Sequence, residues 1–264
     1  QVGGVRYGAL VAAFAASLIG DLTTRAWGVG HAHYPALTGI GLSGLLLAKV
    51  ALLGLGAGLA GRLFADAVHG VRSTFRSTIA WEPLRPAIGG ALLALILFGT
   101  GAFAYAGLGI PMILQSFTGD VPALAFLWKL ALTALTLGAG FQGGEVTPLF
   151  FIGATLGATL GHLLSIPAPL AAGAGFVAVF AGAANTPLAC IIMGAELFGG
   201  GALPYLGTAC VVAYITSGHA GIYTAQRIAM PKSKSLPVAE RATLGTLRES
   251  RKPAPATPEP GSKR

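Results

Sequence analysis

Glu145 and Thr147 are the residues best placed to do chemistry, in the run Gly143-Gly144-Glu145-Val146-Thr147-Pro148. A carboxyl can carry a proton, and a hydroxyl can donate a hydrogen bond. Pro148 suits the first turn of a helix, where its missing N–H would lack a partner anyway. The apolar run Leu149 to Leu164 follows without a break. A helix that starts here leaves its first N–H groups without acceptors, backed by the positive end of the helix dipole. That makes an anion site out of backbone, built by Gly144, Glu145, Val146 and Thr147. Glu145 has a second reading, because acidic residues stabilise first turns by about 0.3–1 kcal/mol even at surfaces. Between apolar segments, however, an ionisable group is costly and marks function by default.

Other polar residues carry weaker signals. Tyr223, in Gly218-His219-Ala220-Gly221-Ile222-Tyr223-Thr224, has by position the look of an interfacial anchor. Lys129 lies inside Phe126-Leu127-Trp128-Lys129-Leu130, where it can attract anions or snorkel to the headgroups; snorkelling is the expectation. Glu196 fits structural hydrogen bonding as well as transport, and Asp21 and Arg25 are spaced to pair with each other. His31 and His33 resemble half of a metal site, but no Cys, Asp or further His lies near to complete it. Cys190 and Cys210 sit in apolar runs without CxxC spacing and read as packing residues. Gly107-Leu108-Gly109-Ile110-Pro111 fits a helix break. There is no G-x-S-x-G, HExxH or P-loop, and no nucleophile stands beside Glu145. The chain is therefore not expected to be an enzyme, nor to need a cofactor or metal.

The elements that must hold this loop are helices in a membrane. The 264 residues are 54% hydrophobic and 10% charged, with 40 glycines, and mean hydropathy is +0.72. Soluble domains are usually about 25% charged. Long apolar runs, rather than the short alternating ones of a barrel, predict an all-α, multi-pass membrane protein. The runs lie at about 5–27, 38–61, 86–107, 121–140, 147–165, 168–183, 186–199 and 203–217, with a shorter one at 219–229. Several fall below the roughly 20 residues a spanning helix needs, the pattern of transporters whose helices stop at the midplane. Between the second and third runs, Arg62 to Pro86 predicts an interfacial helix and then a turn at Glu82-Pro83.

The charge of +8 is uneven: Lys232 to Arg264 holds eight basic and three acidic residues. This places 231–264, a basic Pro-rich tail expected to be disordered with some helix around 237–250, on the cytoplasmic side, with 1–230 as the transmembrane unit. The Arg62–Pro86 segment goes to the same side and the His31–Pro35 loop to the other. Nucleic acid is not expected as a partner of so apolar a chain; an inner or plasma membrane bilayer is. The chain opens at Gln1 and enters an apolar run by Tyr7, so further sequence is expected to precede it.

Phe126-Leu-Trp-Lys129-Leu-Ala-Leu-Thr133-Ala-Leu-Thr136-Leu-Gly138, followed by Gly140-Phe-Gln-Gly143-Gly144-Glu145-Val146-Thr147-Pro148, resembles the second half of CLC anion channels and transporters. Ala181-Gly-Ala-Ala-Asn185-Thr186-Pro187-Leu188, running on to Glu196-Leu197, is similar to the later pore-adjacent helices of that family. Where the family usually reads G-x-F-x-P, this chain has Gly144-Glu145-Val146-Thr147-Pro148, similar to the fluoride/proton antiporter branch, CLC-F. Arg6-Tyr7-Gly-Ala-Leu10 and His31-Ala-His33-Tyr34-Pro35 also resemble that branch.

The resemblance implies a CLC-type inverted-repeat fold with short, broken helices, homodimeric when complete. It implies that the N–H groups of Glu145 and Val146 approach a central fluoride, or chloride in the wider family. Glu145 and Thr147 would line the fluoride and proton path, and Tyr223 would close the inner side of the pore. Lys129 and Gly107–Pro111 match without gaining a role. The gating glutamate that the family places in a G-K/R-E-G-x motif of its first half has no counterpart here, so the missing N-terminal half is expected to be needed for transport.

Overall fold

The computed structural model describes Val2 and residues 7–30, 33–232 and 242–250. Ten α-helices lie in them: α1 Leu10–Ala26, α2 Gly44–Thr78, α3 Leu84–Thr100, α4 Ile110–Ser116, α5 Ala125–Ala139, α6 Val146–Leu164, α7 Ala168–Ala184, α8 Pro187–Phe198, α9 Leu203–Thr216 and α10 Leu244–Ser250. Extended pairing among the described residues is limited to two isolated bridges, Val2 with Ile228 and Arg227 with Thr243. The all-α expectation holds.

Helix α7 is the hub. It packs on α2, α6, α8 and α9, and apolar residues on every side of it, from Leu170 to Ala184, are buried. Small residues make this possible. Gly153 and Gly157 of α6 lie against the backbone of Gly175 and Ala171 in α7, and Gly54 and Gly58 of α2 against that of Ala209 and Ala213 in α9, each too close for an added Cβ. Lipid is as apolar as leucine, so helices in a bilayer associate through such close backbone approach. This explains much of the glycine content. The outer surface is the reverse of a soluble protein's. Leu45, Leu52, Leu59, Leu95, Phe98, Leu188 and Ile192 are all exposed, as suits helices that face lipid tails.

Two segments differ from the expectations. The predicted interfacial helix is the continuation of α2, which runs unbroken for 35 residues. No proline interrupts it, and its buried stripe Val50, Leu53, Ala57, Phe64, Val68 passes straight through Arg62. At about 50 Å the helix is longer than the roughly 30 Å hydrocarbon layer. The last apolar run, 219–229, is not helical; turns and the two bridges fill it. Helix α1 buries none of its residues, and its Asp21 and Arg25 pair at 2.8 Å.

Of the span read as a tail, 233–241 and 251–264 lie outside the described residues. Residues 242–250 pack back on the bundle, with Leu244 buried and Arg248 paired to Asp66 of α2 at 3.0 Å. His31 also lies outside the described residues.

Candidate functional site

Helix α5 ends at Gly140, whose φ of 106° only glycine adopts readily. The chain then crosses Phe141 to Gly144 and enters α6 at Glu145, whose backbone is already helical (φ −89°, ψ −17°). Among the described residues, the N–H groups of Gly144, Glu145, Val146 and Thr147 donate to no backbone acceptor. Glu145 makes no side-chain cap to its own helix. Its carboxylate is thus not spent on a cap hydrogen bond. A Cβ on Gly144 would meet nothing within 4 Å. Packing does not require a glycine there; its effect is to leave the peptide bare.

Gly143 and Gly144 are exposed, and Glu145, Val146, Thr147 and Pro148 half-buried. One side of the loop borders a cavity of about 230 Å³ lined by Lys129, Thr133, Thr136, Gly143, Gly144 and Pro148. Lys129 is 2% exposed, and its Nζ donates to the carbonyls of Tyr105 (3.0 Å) and Gly107 (2.5 Å) with the Phe151 ring 5.0 Å away. The snorkelling expectation is thereby corrected. The end of the α3–α4 connection folds over the lysine and supplies the carbonyls that water or headgroups would otherwise provide.

Tyr223 stands in a turn held from two sides, with the N–H of Ile222 donating to Ala183 and that of Gln226 to Tyr223 itself, both at 3.1 Å. The charge of Glu145 reaches its phenol. Residues about 80 positions apart in sequence are thus brought to one region, although 41% of Tyr223 remains exposed. Glu196 is exposed on α8.

One group in this region escapes the sequence reading. Asn185, the residue after α7, is 3% exposed and left-handed (φ 58°), and its amide bonds to the segment that carries Tyr223. The signal available was an asparagine directly after an apolar helix, the residue that tolerates this backbone best after glycine.

A family model described as voltage gated chloride channel matches residues 2–218. A chloride/fluoride channel protein of Pseudomonas syringae pv. tomato is 43% identical over 254 residues, covering 94% of this chain and 56% of that protein. A putative chloride channel protein of Ralstonia nicotianae, described as ClcB-like, is 32% identical over 188 residues, covering 64% of this chain and 42% of its own length. Among solved structures, the crystal structure of a CLC-type fluoride/proton antiporter matches with a TM-score of 0.80 at 33% identity, over 84% of this chain and 56% of that one. The chain spans about half the length of the curated relatives it matches.

Proposed function

The chain belongs to the voltage-gated chloride channel family, and from that premise we propose that it forms the halide-binding second half of a fluoride/proton antiporter. The observation that carries this reading is the start of α6. Four successive N–H groups without acceptors stand beside a carboxyl that caps nothing, and the Tyr223 phenol lies within reach of that carboxyl's charge.

Fluoride is small and strongly hydrated, so a site that takes it must replace water with hydrogen-bond donors. The amides of Glu145 and Val146, the Thr147 hydroxyl and the Tyr223 phenol are four such donors. Glu145 becomes a further donor when protonated, and an acceptor of like charge to the ion when not. Occupancy by fluoride and protonation of Glu145 are therefore linked, because the anion disfavours the charged carboxyl; exchange against protons needs groups of the other half as well. The site is completed by a preceding half, since the chain spans only about half the length of its relatives, and by a bilayer around the exposed apolar faces. The exposed apolar residues of α8 and α9, Leu188, Ile192, Val211 and Ile215, suit pairing with a second copy. The basic segments lie in the cytoplasm and the protein in the inner membrane.

Liposomes carrying the full-length protein and loaded with fluoride test the reading. Fluoride is expected to leave while protons enter, with chloride moving far more slowly. Equal fluoride and chloride rates would move the assignment to a chloride channel or chloride/proton antiporter. The chain of 264 residues alone is expected to carry no flux, as a membrane subunit inactive by itself; flux from it would refute the need for a second half.

A further inference from the structure

We propose that Asn185 and Lys232 are positioning residues that together fix the turn bearing Tyr223. The inference rests on the reading of Tyr223 as a halide-site donor, and on a hydrogen-bond network none of whose members belongs to that site.

The Asn185 side chain ties both ends of the turn. Its Nδ2 donates to the carbonyl of Ala220 at 3.1 Å and to Oε1 of Gln226 at 3.4 Å. Gln226 answers by donating from Nε2 to the Ala184 carbonyl at 3.1 Å. Tyr223 is midway between the two tied points. Gly221 lies flat beneath them, since a Cβ there would come within 2.6 Å of Asn185 Nδ2 and 2.8 Å of Leu244. On the other side His69 of α2 makes a 3.1 Å bond to the Gly221 carbonyl.

An amide can be turned end for end; its sense here is set from both sides, by the Ala220 carbonyl, which can only accept, and by Lys232. The lysine Nζ donates to Asn185 Oδ1 at 2.5 Å, to the Tyr214 carbonyl at 2.6 Å and to Ser217 Oγ at 3.1 Å, with the Tyr214 ring 3.8 Å away. A lysine amine faces Oδ1 and not Nδ2, so the two N–H donors of Asn185 must face the turn. Without Lys232 the Asn185 Oδ1 loses its partner, and the side chain that ties the turn loses its anchor on that side. The place is apt for a donor. The C-terminal ends of α7 and α9 leave carbonyls unpaired and carry the negative end of each dipole. The backbone N–H of Lys232 is itself held by His219 Nε2 at 3.0 Å, so the lysine enters from a fixed strand of chain.

The test uses the full-length protein in nanodiscs with 3-fluorotyrosine at position 223, read by 19F NMR, and hydrogen exchange over residues 218–230. The unsubstituted network is expected to give one narrow resonance. Asn185→Asp keeps an acceptor for Lys232 but has no N–H for the turn. It should broaden or split the resonance, speed exchange in 218–230 and weaken sodium fluoride binding about tenfold, the size of one lost hydrogen bond to an anion. Lys232→Met should do the same and Lys232→Arg should restore the single resonance. Gln226→Leu, at a half-buried position, should give a smaller change in the same direction and serves if the Asn185 variant does not fold. Unchanged resonance and exchange in these variants would overturn the proposal, as would exchange that rises equally across α6 and α7, which marks a general structural role. A protein that moves no fluoride yet shows these changes would refute the halide reading and leave the positioning network standing.

Discussion

The chain writes Thr-Pro-Leu twice at the start of a helix, and the two copies are used in opposite ways. At Thr147-Pro148-Leu149 the residue ahead, Glu145, caps nothing, and the N–H groups from Gly144 to Thr147 donate to no backbone carbonyl. At Thr186-Pro187-Leu188 the Thr186 N–H donates to Ala181 at 3.3 Å, its hydroxyl meets Cys190 Sγ at 3.7 Å, and Asn185 ahead of it is bonded to Ala220, Gln226 and Lys232. Proline sets the same φ and removes the same donor in both. What differs is the approach: two bare glycines lead into α6, while α8 follows directly on the buried end of α7. A helix start becomes a ligand site when the fold leaves its polar groups unspent, and a joint when it spends them.

Charge should separate the two starts most. Glu145→Gln keeps the size and hydrogen bonding of the side chain but can no longer release a proton. Proton uptake that accompanies fluoride efflux is expected to fall on the order of a hundredfold, the scale of removing a positioned proton-transfer group. Full coupling in that variant would remove Glu145 from the proton path. The paired threonines come next. Thr147→Val should weaken fluoride binding about tenfold to a hundredfold, since a hydrogen bond to a charged group contributes roughly 1.5–3 kcal/mol. Thr186→Val should leave binding within about twofold and lower stability by about 1 kcal/mol. Similar losses of binding from both would dissolve the contrast. Glycine offers a third, smaller comparison along α6 itself. Gly157→Ala drives a methyl into the backbone of Ala171 and should destabilise by about 1–3 kcal/mol. Gly144→Ala meets nothing and should unfold within about 0.5 kcal/mol of the parent, by thermal melts in the same detergent.

These contrasts also show what was legible beforehand. The break between α5 and α6 and the exposed peptide at Gly144 follow from local chemistry: glycines, a carboxyl, a proline, then an apolar run. The end of α3 was not read: the run placed at 86–107 carries on past Gly101, where the left-handed backbone stops the helix. The environment of Lys129 was not legible, because the carbonyls that take up its protons come from Tyr105 and Gly107, more than twenty positions away in sequence. Hydropathy alone saw an apolar run at 219–229 and could not tell that its backbone is tied mostly to α7, Val2 and the 242–250 segment. Nor did the charge pattern mark α2 as one helix, since the basic residues that suggested a boundary lie on its exposed face while Phe64 and Val68 continue the buried one.

The smallest effect concerns the spent side of the comparison and turns on sign. Burial pushes the Lys232 amine down to about 7, against about 10.4 for a free lysine. Between those values the undocked lysine binds more protons than the docked one, so docking of the 217–232 segment strengthens as pH rises from about 7 to about 10 and is level below 7. The other titratable groups that face the amine are the Tyr214 ring beneath it and, at its own backbone, His219. Hydrogen exchange in 218–230, corrected for its intrinsic pH dependence, should therefore slow relative to α6 across that window, and the slope should vanish in Lys232→Met. An opposite slope would mean that the three acceptors and the Tyr214 ring outweigh burial and keep a full ammonium in place. The joint at α8 would then be held by charge, as the mouth of α6 is proposed to be, and the distinction between the two Thr-Pro starts would rest on occupancy alone.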